Sequence, residues 1–243
     1  MTGLRTLKRV VAPAALAGLA AGGAHAAGLQ VEPSSVTIAE RSEEIWLVNT
    51  GDAPLQAQVR VYRWVQDGEG ERLEPTEDLL ASPPMAQIAP GARRLVRVVS
   101  TGARTCEDTF RLAIDELPPA QTETTGLRYV MHYSVPVFVT PKRCGAIAPQ
   151  LAWRIDAPGG GARLVVANAG TQHAQLADLT FIDPDGQRTP LTPGLLGYVH
   201  AGAQMAFALA PGAETFARGG TLEAQVNGIR IEQQVAPPSP AAD

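Results

Sequence analysis

Beyond its N-terminal leader this sequence has no apolar run long enough to cross a membrane as a helix. It is also short of positive charge. Arg5, Lys8 and Arg9 sit in the leader, and without them 17 basic residues face 24 acidic ones, a formal charge of −7. That excess disfavours nucleic acid or an anionic membrane surface as a partner. Cysteine is nearly missing, with only Cys106 and Cys144. A metal centre would need further ligands beside them, and His132 alone is a poor companion. Of four histidines, His25 falls in the leader, while His132, His173 and His200 stand outside any catalytic motif. There is no nucleophile elbow, HExxH, P-loop or dinucleotide glycine pattern. "APGGGA" (157–162) precedes a β-type run rather than a helix, so it reads as a turn. No enzyme, metal or cofactor is expected.

The leader itself is informative. In "MTGLRTLKRVVAPAALAGLAAGGAHAAG" three basic residues precede an apolar run from Val10 to about Ala21, and Ala24-His25-Ala26 is a small-x-small cleavage signature. Residues 1–26 are expected to be a signal peptide, with the mature chain beginning near Ala27 and no membrane insertion after cleavage. In an exported chain an isolated cysteine pair most simply forms one disulfide, Cys106–Cys144.

What remains is β-patterned. Short alternating runs such as "EEIWLVNTGDAP", "LQAQVRVYRWVQDGEGE", "IAPGARRLVRVVS" and "TFRLAIDELPP" are divided by Gly, Pro, Asn and Asp. Helical periodicity is largely absent, with "TEDLLAS" a short turn at most. This pattern indicates β-sandwiches. After Cys144, "GAIAPQ" reads as a linker and a second strand series begins. "VVANAGTQHAQLADLTF" repeats the plan of "WLVNTGDAPLQAQVRVY": strand, Asn-x-Gly turn, strand. The expected division is an N-terminal domain over 27–144, a C-terminal domain over 145–235 and a disordered tail, "PPSPAAD" at its end, over 236–243.

One stretch stands apart. In "LRYVMHYSVPVFVTP" (127–141), Leu127, Tyr129, Met131, Tyr133, Val135, Val137 and Val139 share one parity and would line one face of a strand. Fifteen residues of strand would span roughly 50 Å, against about 17–20 Å for an ordinary one. Pro136 interrupts the donor row, which points to an edge. A hairpin with "TFRLAIDELPP" centred near residue 125 would set Cys106 opposite Cys144. A long, greasy edge invites aggregation, so its presence in an exported chain calls for a use.

Together "NTGDAPLQAQVRVYRW", "LLASPPMAQIAPGARRLVRV", "FRLAIDELPP" and "YSVPVFVTP" resemble, in order and over most of the first domain, the periplasmic chaperones of chaperone–usher pilus assembly. "GLLGYVHAG" (194–202) is the second domain's best match. "RVYRW" and "SVPVFVTP" look most like the archaic, spore-coat-U-type branch. The resemblance implies an all-β chain of two immunoglobulin-like domains in a boomerang, located in the periplasm. It implies that pilus or fimbrial subunits are capped by donor-strand complementation and delivered to an outer-membrane usher. The main chain of the lent strand would supply affinity and its alternating side chains would fill the subunit's groove.

In that register Leu127, Tyr129, Met131, Tyr133 and Val135 form the expected donor strand. Burying four such side chains is worth roughly 6–12 kcal/mol before ordering and association costs. The family's cleft Arg and Lys, which bind a subunit's terminal carboxylate, align with Ser35 and Pro136, and neither carries charge. Arg111 and Arg63 are the candidate substitutes, since a guanidinium grips a carboxylate with two bonds. Glu116 matches an acidic interdomain residue of the family, with Lys142 or Arg143 as its candidate partner. The exposed edge also leaves room for a self-capping dimer of the free protein. The competing reading is a secreted structural protein, a pilin or adhesin domain, but "LQVEPSSVTI" follows the cleavage site too closely to leave a donor extension.

Overall fold

The computed structural model describes residues 28–68, 70–102, 105–118 and 129–238. The leader, Leu127 and residues 239–243 of the tail lie outside them. Among the described residues there are strands and three short 3₁₀ turns, with no α-helix.

The first sandwich comprises β1 (Leu29–Glu32), β2 (Val36–Ile38), β3 (Ser42–Asn49), β4 (Leu55–Gln66), β5 (Glu71–Pro75), β6 (Leu79–Ser82), β7 (Met85–Ile88), β8 (Arg93–Ser100), β9 (Asp108–Leu117) and β10 (His132–Val139). One sheet runs β1-β3-β8-β6; the other runs β2-β10-β9-β4-β5, with β7 also on β4. Strict alternation puts Ile45 and Leu47 of β3, Val96 and Val98 of β8, and Leu112 and Ile114 of β9 into the core between the sheets.

The second sandwich comprises β11 (Leu151–Asp156), β12 (Ala162–Asn168), β13 (Ala174–Ile182), β14 (Arg188–Val199), β15 (Gln204–Leu209), β16 (Gly220–Val226) and β17 (Ile229–Val235). Its sheets run β11-β12-β15 and β14-β13-β16-β17. Phe181 and Phe216 meet edge to face at 4.9 Å in its core.

The repeated Asn-x-Gly plan has a common physical basis in both domains. Asn49 is buried at the end of β3; its Nδ2 donates to the carbonyls of Ala53 and Ile88, and its Oδ1 accepts from Gly51 N. Asn168 does the same at the end of β12, donating to Gln172 and Val199 and accepting from Gly170. Each asparagine closes its own turn and ties it to a distant strand, so nearly all of its hydrogen-bonding capacity is used inside the fold.

Three expectations are corrected. "TEDLLAS" contains a strand, β6, because Leu79 is needed in the core and the strand covers the edge of β8. The long extended run is shorter than its pattern: β10 holds eight residues, and Tyr129–Met131 precede it outside any strand. The β9–β10 register is also shifted. His132 lies opposite Asp115 and Val139 opposite Asp108, three positions from the pairing that would set the cysteines face to face. A 3₁₀ turn at Lys142–Cys144 makes up the difference, and Cys106–Cys144 closes with its Cα atoms 5.5 Å apart.

Candidate functional site

β10 is the strand on which the site is built. Along its whole length it pairs with β9 on one side, whereas β2 covers its other side only from Val137 to Val139. Glu116 N donates to Met131 O at 2.9 Å, so the main-chain groups of residue 131 face β9. Alternation then turns those of His132 and Ser134 outward to the uncovered side. Pro136 is the next outward position and has no N–H, so the donor row stops where β2 takes over. The open edge is therefore short. Immediately before it Tyr129, Val130 and Met131 stand 77%, 50% and 38% exposed, a run of apolar side chains at the strand's free end.

The donor residues expected from parity divide at this point. Tyr129 and Met131 present their side chains to solvent. Tyr133 is half-buried against the core, and its hydroxyl donates to Leu29 O at 2.6 Å. Val135 is 3% exposed and packs inside the first sandwich with Val137 and Val139. Val135 thus belongs to the protein's own core, because the face that is free before residue 132 is enclosed once the β1–β3 sheet covers it. Leu127 lies outside the described residues.

The candidate cations also separate. Arg63 is committed: it pairs with Asp78 at 2.5 Å, lies 3.7 Å from Asp108, and stacks over Phe110. Arg111 is placed differently. It projects from β9 opposite Pro136 into a cleft of about 440 Å³ between the two sandwiches, lined also by Ser134, Leu196, Tyr198 and Phe207. Its guanidinium lies 3.6 Å from the Trp64 ring centroid and 5.7 Å from that of Tyr198, and Nη1 donates to Ser134 O at 3.2 Å. Burial lowers its pKa, opposed by the nearby charge of Glu71 and by Tyr198. Its seat is formed by aromatic faces, a contact worth about 2 kcal/mol when desolvated. Of the two positions aligned with the family's basic pair, Pro136 lines the cleft, and the neighbour of Ser35, Ser34, does so in its place.

The expected Glu116–Lys142 bridge does not form. The two residues lie at opposite ends of the β9–β10 pair, a separation of roughly 25 Å at strand rise. Lys142 pairs with Glu40 at 2.5 Å, both exposed, and Arg143 donates to Thr105 O. Glu116 is buried beside β1, where its Oε2 accepts from Leu29 N at 3.4 Å.

The domains are joined by residues that carry no sequence motif. Glu107, its side chain fully buried, accepts from His173 N at 2.5 Å and lies 2.9 Å from His173 Nδ1. The His173 ring stacks on Phe138, centroids 3.5 Å apart and planes 7° apart. Gln66 clamps the second domain's backbone, donating to Tyr198 O at 2.9 Å and accepting from His200 N at 2.8 Å. His200 stands edge-on to Trp64, with Nδ1 3.2 Å from Thr109 Oγ1. Burial first, then His173 and Arg111, lower its pKa to about 3. Only the outward parity of Trp64, Thr109 and Phe138 on neighbouring strands could have flagged this surface from sequence.

Comparison with known proteins agrees with this architecture. Residues 28–145 match the family model described as pili and flagellar-assembly chaperone, PapD N-terminal domain. No curated protein matches the sequence. Among solved structures the chain is similar to one in the CsuC–CsuE chaperone–tip adhesion subunit pre-assembly complex from archaic Csu pili of Acinetobacter baumannii. Identity is 21%, coverage is 86% of this chain and 98% of that one, and the TM-score is 0.66. It is also similar to one in the complex of Salmonella enterica SafA pilin with the SafB chaperone, at 16% identity, 85% and 96% coverage and a TM-score of 0.62. The Pseudomonas aeruginosa CupB2 chaperone matches at 20% identity, over 85% of this chain and 99% of that chain, with a TM-score of 0.56. The fold is that of the two-domain immunoglobulin-like chaperones.

Proposed function

We propose, for a chain whose residues 28–145 match the pilus-assembly chaperone family model, that it captures incomplete pilus subunits in the periplasm by lending them the segment that leads into β10. The observation that carries the reading is the apolar run Tyr129–Met131, exposed at the start of an edge whose outward main-chain groups are uncovered up to Pro136. A subunit lacking one strand of its sandwich needs both things that this edge offers. It needs main-chain partners for an open sheet and apolar side chains for an open groove. Leu127, Tyr129 and Met131 are the lent residues, and the strand from Tyr133 onward anchors them in the chaperone.

Arg111 is the group proposed to hold a subunit's terminal carboxylate. It is a cation in the interdomain cleft, seated on aromatic rings, and a carboxylate there would gain a charge-assisted pair shielded from bulk water. Arg63 is already engaged by two carboxylates and is set aside. Delivery to an outer-membrane usher and membership of the archaic branch belong to the same proposal; the likeness to an archaic Csu pilus complex supports the second. The same edge could close on a second copy when the protein is free, giving a self-capped dimer.

The test is co-purification from periplasm with a pilus subunit encoded in the same operon. Wild type is expected to hold a stable one-to-one complex. The folded Tyr129→Asp/Met131→Asp double variant is expected to lose it. Equal recovery with both proteins would show that this edge is not the contact.

A further inference from the structure

At the free end of β10 the first strand of the protein is fastened to the segment that we read as lent. Tyr133 Oη donates to Leu29 O at 2.6 Å, the shorter and stronger of two ties. The second is the acceptance of Leu29 N by Glu116 Oε2 at 3.4 Å. Glu116 itself donates its main-chain N–H to Met131 O at 2.9 Å, so one residue touches both β1 and the exposed segment. Just ahead of Leu29, Gly28 lies against Met131: a β-carbon on Gly28 would come within 3.3 Å of Met131 Cγ. Gly28 is fixed in turn by Thr50, whose hydroxyl donates to Gly28 O at 2.9 Å and whose N–H does so at 3.1 Å. β1 and β10 belong to different sheets, so this cluster ties the two sheets together at the point where β10 leaves the sandwich.

We infer that Tyr133 and Glu116 are positioning residues for subunit capture: through Leu29 they fix where the protein's own strand ends and the lent segment begins. This rests on the proposed function and concerns the regulation of the same site. The burial pattern supports a sharp boundary. Tyr133 is half-buried with its hydroxyl occupied, while Met131, two residues earlier on the same parity, is exposed. A one-residue slip in an edge pairing turns every side chain to the opposite face. A segment meant to fill a groove therefore gains from a fixed point immediately behind it. Ordering that point before encounter removes part of the conformational cost of binding, which appears in the rate of association.

Tyr133→Phe is the discriminating variant, because it removes the hydroxyl and keeps the ring in the core; Glu116→Gln is the second. Capture of the operon's pilus subunit, unfolded in urea and stripped of its N-terminal extension, is followed by stopped-flow fluorescence with the full mature chain. Tyr133→Phe is expected to slow association about tenfold with dissociation unchanged, the size expected for one lost hydrogen bond, and to lower the denaturation midpoint by no more than that same bond while the chain stays folded. In the free protein, exchange of the Glu116 amide, bonded to Met131 O, should quicken by a similar factor. A loss confined to dissociation would make Tyr133 a direct subunit contact and overturn the proposal. So would unchanged association together with unchanged exchange. If wild type captures no subunit, the proposed function itself fails, whereas altered exchange would still report the tie to β1.

Discussion

His200 shows how one side chain becomes sensitive to its surroundings. It is one of the histidines that no motif singles out, and the second domain presses it against Trp64 with Nδ1 on Thr109. Thr109 Oγ1 donates to Trp64 O, so it accepts from His200 Nδ1–H, and burial keeps the ring neutral. With its folded pKa lowered from 6.5 to about 3, the ring takes no proton in the fold across a range where the unfolded chain does. Its contribution is therefore fully present above pH 6.5 and is lost as pH falls, by at most about 1.4 kcal/mol per pH unit. Glu223 acts in a lower window. Hydrogen bonding to Arg188, assisted by Arg230, depresses its pKa to about 2, so its contribution fades only below about 4.5. Chemical denaturation at pH 7.5, 6.0 and 5.0 should show stability falling with acid, and His200→Phe should flatten that slope. An unchanged slope in the variant would place the responsible group elsewhere.

At the scale of elements, much of the first domain was legible in advance. "EEIWLVN" and "FRLAIDEL" form the strands their composition indicates, with Ile45, Leu47, Leu112 and Ile114 in the core, and both Asn-x-Gly turns are present. Periodicity failed on the expected donor strand because it reports which side chains share a face and is silent on what covers that face. Val135 and Met131 are equivalent by parity, yet one is in the core and the other faces solvent. The disulfide was paired correctly through a register off by three, the turn at Lys142–Cys144 supplying the difference. That bridge staples the far end of β10, away from Tyr129–Met131. The double variant Cys106→Ser/Cys144→Ser is expected to lose about 2–4 kcal/mol in a denaturation titration, from closure of a long loop. Under the proposed function it should still capture subunits when folded, and loss of capture at full folding would mean that the staple also sets the segment proposed to be lent.

The whole molecule depends on the contact between its two sandwiches, which places Arg111 in a cleft. Glu107 is an acidic residue that bonds across that contact, whereas the family resemblance implied Glu116 as the interdomain acid. Removing its carboxylate leaves the part-buried His173 N–H without its acceptor, at a cost of about 1 kcal/mol. Glu107→Ala should loosen the joint while each core stays intact. Small-angle scattering should then show a larger radius of gyration, and thermal unfolding should split toward two transitions. One transition at an unchanged radius would mean that Gln66, Trp64 and Phe138 hold the angle by themselves.

The sequence alone determined the all-β character, the doubling of one sandwich plan, the cysteine partners and the presence of an exceptional apolar edge segment. These follow from local rules: side-chain parity, turn chemistry and composition act over a few residues and can be read in order along the chain. Tertiary structure decided which part of that segment is free, which arginine occupies the cleft and which acid joins the domains. Those depend on what a distant strand covers. β1 and β2 enclose β10 only beyond Met131, and the second domain brings Tyr198 and His200 to Trp64 from more than a hundred residues away.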